Sequence, residues 1–287
     1  MPAMTSIPST TPVRVLLCTS GGLCGALVMR RLAADPRVHL AGVVLSSRVF
    51  SKRASWLGGV WSHYRRSGLR YLLYLWAATG LADLLGWRAT LQPVRDQAAG
   101  LGCPVHETRD INAAEEQAFV AACRPDLLVS AFFNQRIGPQ VLAHPRAGAV
   151  NIHPSLLPAL KGVDPVFYAR LRGIVPVGVT LHRLAEELDT GPILAQAQLV
   201  QHAGESVLRT TARLYERGAV LLLAQLGDIL DGTPGQVQAP VIDYDSWPTP
   251  LQVMALTRTG QRLVDLADVR DMLLGRFGSA PSAGDAD

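Results

Sequence analysis

Residues 13–46 read VRVLLCTSGGLCGALVMRRLAADPRVHLAGVVLS. An apolar run (13–19) stops at Ser20-Gly21-Gly22, a helical pattern fills about 23–34, and a second apolar run follows at 38–46. Strand, glycine turn, helix, strand is the opening of a βαβ unit. The two strands are apolar almost without alternation, which predicts a parallel sheet covered on both faces. Further strands are expected at 104–107, 126–131 (DLLVSA), 149–153 and 177–182, with helical stretches between several of them, notably 113–123. This alternation predicts an α/β fold, an open, doubly wound, Rossmann-like and mainly parallel sheet.

Beyond these strands the pattern is extended again at 192–200. One long helix is expected at 206–231, with Leu208, Leu214, Leu221, Leu222, Leu226 and Leu230 on its apolar side. Residues 234–240 read as a linker, and the short remainder holds two small helices before a polar end, GSAPSAGDAD. The expected organisation is a catalytic domain at 13–231, interrupted by a helical basic and apolar insertion at 48–92. A linker and short C-terminal appendage follow at 232–287.

Apolar residues make up 48% of the 287-residue chain, ordinary for a globular protein, and the net charge of +4 is too small to argue for nucleic acid. Cys18, Cys24, Cys103 and Cys123 form no Cys-x-x-Cys pair and have no histidine cluster beside them. They read as buried small hydrophobes of a reducing compartment, with no metal site expected. Residues 1–12 lack the basic start and apolar run of a secretory signal, so the cytoplasm is the expected location. The turn Ser20-Gly21-Gly22-Leu23-Cys24-Gly25 lacks the Lys-Ser/Thr of a phosphate loop, and no acidic residue ends the second strand. It reads as a tight strand-to-helix turn.

The chemistry concentrates at 151–201, which opens NIHPSLLPALKGVDP and continues through GVTLHRLAEELDTGPILAQ. Asn151 and His153 are two apart on a strand, so they share a face, and Pro154 turns the chain away at the strand's carboxyl end. Ligands bind at that edge of a parallel sheet. An amide donor beside an imidazole suits a carbonyl or oxyanion. Asp189, in the Gly-Pro turn LDTGPIL, is placed to orient His153 and favour its cationic form. Asp-Thr-Gly also occurs in aspartic proteases, but those need two such aspartates in an all-β setting, and this chain has one in an α/β setting.

The run Asn151-Ile152-His153-Pro154-Ser155-Leu156-Leu157-Pro158, followed by Gly162 and Asp189-Thr190-Gly191-Pro192-Ile193-Leu194, resembles the folate-dependent formyltransferase family of methionyl-tRNA, glycinamide ribonucleotide and amino-sugar N-formyltransferases. The likeness spans about 13–231 and is strong over 130–201. It implies the formyltransferase type of Rossmann-like fold and formyl transfer from the co-substrate 10-formyltetrahydrofolate to an amine. Asn151, His153 and Asp189 would be catalytic. A pteridine pocket would be built from Phe133, Ile137, Gly138, Leu188 and Thr190, and Arg136 reads as an outward charge.

The first turn lacks the Gly-Asn-Gly-Ser type loop of the purine-pathway enzymes, and the short tail leaves no room for the second domain of the tRNA enzymes. The resemblance therefore implies a small-molecule amine acceptor, an amino sugar or another biosynthetic amine. A methionyl-tRNA formyltransferase-like enzyme and a formyltetrahydrofolate hydrolase or deformylase are the alternatives. Residues 48–82 carry Arg48, Lys52, Arg53, Arg65, Arg66 and Arg70 and no acid, interleaved with Trp56, Trp61, Tyr64, Tyr71, Tyr74 and Trp76. The run 71–82 is uncharged and apolar all round a helix. Such a segment suits peripheral contact with the inner membrane face through 48–85, or a lid over an anionic acceptor. The plainer alternative is an extra helix pair packed on the domain or in a homodimer.

Overall fold

A computed structural model describes residues 11–48, 56–85, 91–239, 243–274 and 276–277. Within them the strands run β1 (Val13–Thr19), β2 (Val38–Ser46), β3 (Val105–Thr108), β4 (Leu127–Ala131), β5 (Ala149–His153), β6 (Val177–Arg183) and β7 (Ile193–Leu199). They form one sheet in the order β3-β2-β1-β4-β5-β6-β7. The strands from β3 to β5 pair in parallel, and β6 and β7 are antiparallel. The sheet is thus mainly parallel, as the apolar runs predict. The order reverses at β1 beside β4, which sets a crevice above their carboxyl ends.

The helices are α1 (Gly22–Ala33), α2 (Trp56–Trp76), α3 (Ala82–Leu85), α4 (Val94–Gly100), α5 (Ala114–Cys123), α6 (Pro139–Leu142), α7 (Pro165–Leu171), α8 (Val207–Ala224), α9 (Leu226–Leu230), α10 (Pro250–Arg258) and α11 (Leu266–Leu273). A π-helical turn, Ala77–Leu81, joins α2 to α3. Each strand feeds two cores by its alternation. Val15 and Leu17 of β1 join α1, α8 and the insertion on one face, while Leu16 and Cys18 join Val120 and Cys123 of α5 on the other. Each such fully buried aliphatic contributes roughly 1.5–3 kcal/mol of transfer free energy. All four cysteines are free and buried, and burial pushes their thiols up, Cys103 to about 11.

Three expectations change. The single long helix at 206–231 is two. The chain tightens at Gln225, whose N–H is shared between the Leu221 and Leu222 carbonyls, and restarts as α9, leaving Leu230 outside the core. The linker region is not slack, because Gln236 bridges to Ile193 of β7. The insertion is not apolar on every side in its packing. Its inner residues Tyr71, Tyr74, Ala77, Ala78 and Leu81 enter the core shared by α1 and α8, while Leu73 and Trp76 stay exposed. Lys52 and Arg53 lie outside the described residues. Arg48 is not a free surface cation, since its guanidinium donates to the Arg109 carbonyl at 2.9 and 2.7 Å.

The glycine turn after β1 has a steric reason. Gly22 has a φ of 61°, and a Cβ there would lie 2.2 Å from the Ala78 carbonyl oxygen. The π-helical turn of the insertion therefore sits directly on the start of α1. Residues after 232 join the same core through Val253, Leu256, Leu263, Met272 and Phe277. Capping boxes, Thr249 with Gln252 and Asp265 with Asp268, start α10 and α11.

Candidate active site

β5 ends in Asn151-Ile152-His153, and its neighbour β6 runs antiparallel to it. The register sets Asn151 opposite His182 and His153 opposite Thr180. Side chains opposed in this way stand within reach of one another. The Asn151 Nδ2–H donates to His182 Nε2 at 3.1 Å. The other ring nitrogen of His182, Nδ1, donates to the Arg183 carbonyl at 2.8 Å. These partners select the neutral tautomer with the proton on Nδ1. Burial first, and the neighbouring His153 charge second, bring His182 down to about 4. A neutral acceptor for the Asn151 amide is thereby built in.

His153 is only 4% exposed, deeper than the rim position its place before Pro154 suggests. The reason is the turn that follows it. Thr180 of β6 donates its hydroxyl to the Ser155 carbonyl (2.6 Å) and accepts from the Leu157 N–H (3.0 Å). The chain is folded back so that Leu160 reaches the imidazole. His153 Nε2 meets the Leu160 carbonyl at 3.1 Å, and Nδ1 faces Asp189 Oδ1 at 3.4 Å. Both ring nitrogens therefore face oxygen acceptors, an arrangement fully satisfied only by the imidazolium.

Asp189 sits in the loop between β6 and β7 with a φ of 57°. Its Oδ2 accepts from the Gly162 N–H at 3.2 Å, and its Oδ1 lies 3.9 Å from His182 Nε2. The loop is pressed onto β6. A Cβ at Gly191 would lie 1.8 Å from the Arg183 carbonyl oxygen, so the glycine of Asp-Thr-Gly-Pro permits the close approach. The structure thus brings Asn151, His153 and Asp189 together.

The other predicted residues have mixed placements. Phe133 is half-buried and Leu188 exposed, while Ile137 is buried in the core around α5 and α6. The Gly138 N–H is already bonded to Asn112 Oδ1 at 2.6 Å, and the Thr190 hydroxyl donates to the Glu187 carbonyl. Arg136 is exposed, as expected. A depression of about 270 Å³ between β7 and α9, lined by Ile193, Gln196, Asp228 and Gln236, contains none of these groups.

Sequence reasoning missed four residues. His182 was legible only as one member of the alternation Thr180-x-His182, which puts both on one face of a strand. Lys161 is buried beside this cluster, and its charge adds to the forces that hold His182 neutral. Gln238 donates to the Asp189 and Gly191 carbonyls at 3.1 and 2.6 Å, tying down the aspartate loop. Asp245 bridges to Gly162, exchanging backbone bonds with Lys161 and Val163, and its carboxylate holds Arg172. No local pattern marks these last two.

Residues 92–226 match the formyl transferase family. Methionyl-tRNA formyltransferase of Bacillus licheniformis is 35% identical over 144 residues, covering 50% of this chain and 46% of that protein. The chain therefore spans about half the length of such relatives. Phosphoribosylglycinamide formyltransferase of Anaplasma phagocytophilum shares the fold with a TM-score of 0.53 at 19% identity, over 83% of this chain and 100% of that one. A sugar N-formyltransferase from a Shewanella species superposes with a TM-score of 0.52 at 18% identity, over 82% of this chain and 76% of that one.

Proposed function

We propose that this chain, whose residues 92–226 match the formyl transferase family, transfers a formyl group from 10-formyltetrahydrofolate to the primary amine of a small molecule, an amino sugar or another biosynthetic amine. The observation that carries the reading is the convergence of Asn151, His153 and Asp189 at the carboxyl end of β5. The amide fits a formyl donor. One Asn151 N–H is engaged by His182, and among the described residues the other has no partner, on a side chain that is only half-buried.

10-Formyltetrahydrofolate supplies an activated formyl carbon on a nitrogen leaving group. The free Asn151 N–H and the His153 imidazolium hydrogen-bond the formyl oxygen as it gains negative charge under attack by the amine. Asp189 holds His153 Nδ1 and balances its charge. His153 must exchange its Leu160 carbonyl contact for the substrate, a tightening common between free and bound sites. The amine gives up a proton to water as its bond to the formyl carbon forms, because the imidazolium of His153 has no lone pair to take it. The folate nitrogen regains a proton as its own bond breaks. Phe133 and Leu188 form the apolar wall for the pteridine, with Ile137, Gly138 and Thr190 shaping it from behind.

The sequence relatives keep a second acceptor in play, the amine of methionyl-tRNA, and water as acceptor would make the enzyme a hydrolase. The acceptor is found by incubating the full chain with 10-formyltetrahydrofolate and a panel of amino sugars, glycinamide ribonucleotide, methionyl-tRNA or water alone, following tetrahydrofolate release. A small amine is expected to support turnover, and His153→Ala to lower it by roughly 10²–10³ with an unchanged circular dichroism spectrum. Near-normal turnover in that variant would overturn the mechanism. We assign the enzyme to the cytoplasm. Its four free, buried thiols suit a reducing compartment.

A further inference from the structure

The two halves of α2, on either side of Gly68, each leave an apolar side exposed. Before its kink at Gly68 the helix exposes Leu57, Trp61 and Tyr64, and after the kink Leu69, Leu73 and Trp76. Each half therefore repeats the spacing i, i+4, i+7 that lines one side of a helix. Leu57, Trp61, Leu69, Leu73 and Trp76 are between 49 and 72% exposed, a concentration of large apolar groups that ordinary surfaces avoid. Trp61 and Tyr64 stack with ring centres 5.4 Å apart. The arginines gather at the kink: Arg65, Arg66 and Arg70 are all exposed, and no Asp or Glu occurs from Trp56 to Leu81.

We infer that this face of α2 is a docking surface for an anionic lipid bilayer, lying in the headgroup region without crossing it. Extending the proposed function only in naming its partner, the inference rests on three features. Aliphatic side chains flanked by Trp and Tyr match the acyl-to-headgroup boundary, and arginines match acidic headgroups. Charge argues against a second copy of the chain, because a two-fold contact would bring both sets of arginines into one interface with no carboxylate of α2 to meet them. A nucleic acid backbone would use the arginines and leave the leucines without partners. Among the described residues no helix is long and apolar enough to span a membrane, which leaves the surface position.

The arginines are also braced from below. Arg66 donates to Ser246 Oγ at 2.8 Å and Arg70 to Thr257 Oγ1 at 3.0 Å, so the charged rim is fixed to the body of the protein. The opposite face of α2 puts the Tyr71 hydroxyl on Asp164 at 2.8 Å, in the loop that also supplies Gly162 to Asp189. A bilayer held by the outer face would thus lie one helix away from that loop.

The test is sedimentation of the full chain with vesicles of phosphatidylcholine alone or with phosphatidylglycerol added, at low and high salt. Wild type should bind the anionic vesicles, with a blue shift of tryptophan emission, and should lose most of the binding in salt. Arg65→Gln, Arg66→Gln and Arg70→Gln together should weaken it by roughly a hundredfold, about fivefold for each charge. Trp61→Ser with Leu73→Ser should weaken binding and reduce the emission shift to the part that Trp76 contributes. Circular dichroism and folate-analogue binding should be unchanged in both sets, since none of these side chains lies in the core or the site. Absence of binding to anionic vesicles overturns the inference. So does undiminished binding in the variants, and so does a wild-type dimer that these substitutions dissociate while vesicles bind neither form. Vesicle binding is read without turnover, so failure here leaves formyl transfer standing, and failure of formyl transfer leaves the docking surface standing.

Discussion

Replacing His182 with leucine removes the hydrogen bond that aims the Asn151 amide, together with the one from Nδ1 to the Arg183 carbonyl. His182 is 1% exposed, and leucine has a similar volume, so the packing is largely kept. The 3.1 Å contact from Asn151 Nδ2 to His182 Nε2 is lost. A neutral hydrogen bond of this kind is worth about 0.5–1.5 kcal/mol net, which lowers the population of the productive amide orientation by roughly two- to twelvefold. Removing the amide itself, as in Asn151→Ala, removes the donor and costs roughly 10²–10³ in turnover. His182→Leu is therefore expected to reduce kcat by less than about fifteenfold, with KM for 10-formyltetrahydrofolate nearly unchanged. In an Asn151→Ala background the same substitution should have no further effect, because there is nothing left to aim. The assay is steady-state tetrahydrofolate release in all four members of the cycle. Independent, additive losses would refute the aiming role, as would a loss in His182→Leu equal to that of Asn151→Ala.

The same variant has a thermodynamic signature. His182 is held at about 4 against an ordinary 6.5, chiefly because burial disfavours its charged form. Between those values the unfolded chain binds a proton that the folded one excludes. Its contribution to stability is complete above pH 6.5 and is lost as the pH falls toward 4, by up to roughly 3 kcal/mol. Urea unfolding of His182→Leu should show a flatter decline across that window than the wild type, and an unchanged decline would mean that His182 is charged in the folded protein.

Two further outcomes are expected. Gln238→Leu removes both donors to the aspartate loop and about 1–3 kcal/mol of its anchoring; kcat should fall while the global urea midpoint moves little, and faster proteolysis between β6 and β7 would locate the effect. Gly22→Ala places a methyl on the Ala78 carbonyl in a left-handed conformation and should cost roughly 2–4 kcal/mol, from overpacking and the backbone, read as a lower urea midpoint at constant m; a neutral result would show that the π-helical turn does not rest on α1.

What the sequence disclosed, and what it hid, follow from the range of the forces involved. β1, β2 and β5 have the bounds their apolar runs predict, because each run is stopped locally, by glycine, by a polar residue or by Pro154. The convergence of Asn151, His153 and Asp189 was legible because two of them share a strand face and the third sits in a Gly-Pro turn. His182 was not, since its role depends on β6 running antiparallel to β5 in one register, and register is a property of two strands. The break at Gln225 was hidden because the leucine periodicity continues across it. The depth of His153 was hidden because the cover over it is organised by Thr180, which lies 27 positions further along the chain.

The division between chemistry and its supports runs along the chain as well. Asn151, His153, His182 and Asp189 all fall inside the matched segment 92–226. Several of the groups that hold their loops come from outside it. Gln238 fixes the carbonyls of Asp189 and Gly191, Asp245 pairs with the backbone of Lys161 and Val163, and Tyr71 of α2 donates to Asp164 two residues after Gly162. Asp164 is fully buried, and burial pushes its carboxyl up despite the donors around it, so the tyrosines of the insertion are what make that position tenable for a carboxylate. Excising the insertion would strip Tyr71 and Tyr74 from Asp164 and uncover the start of α1, disturbing the core and the loop together. The reacting side chains thus lie in one segment of the chain, and part of what steadies the loops that carry them lies in the insertion and the C-terminal segment.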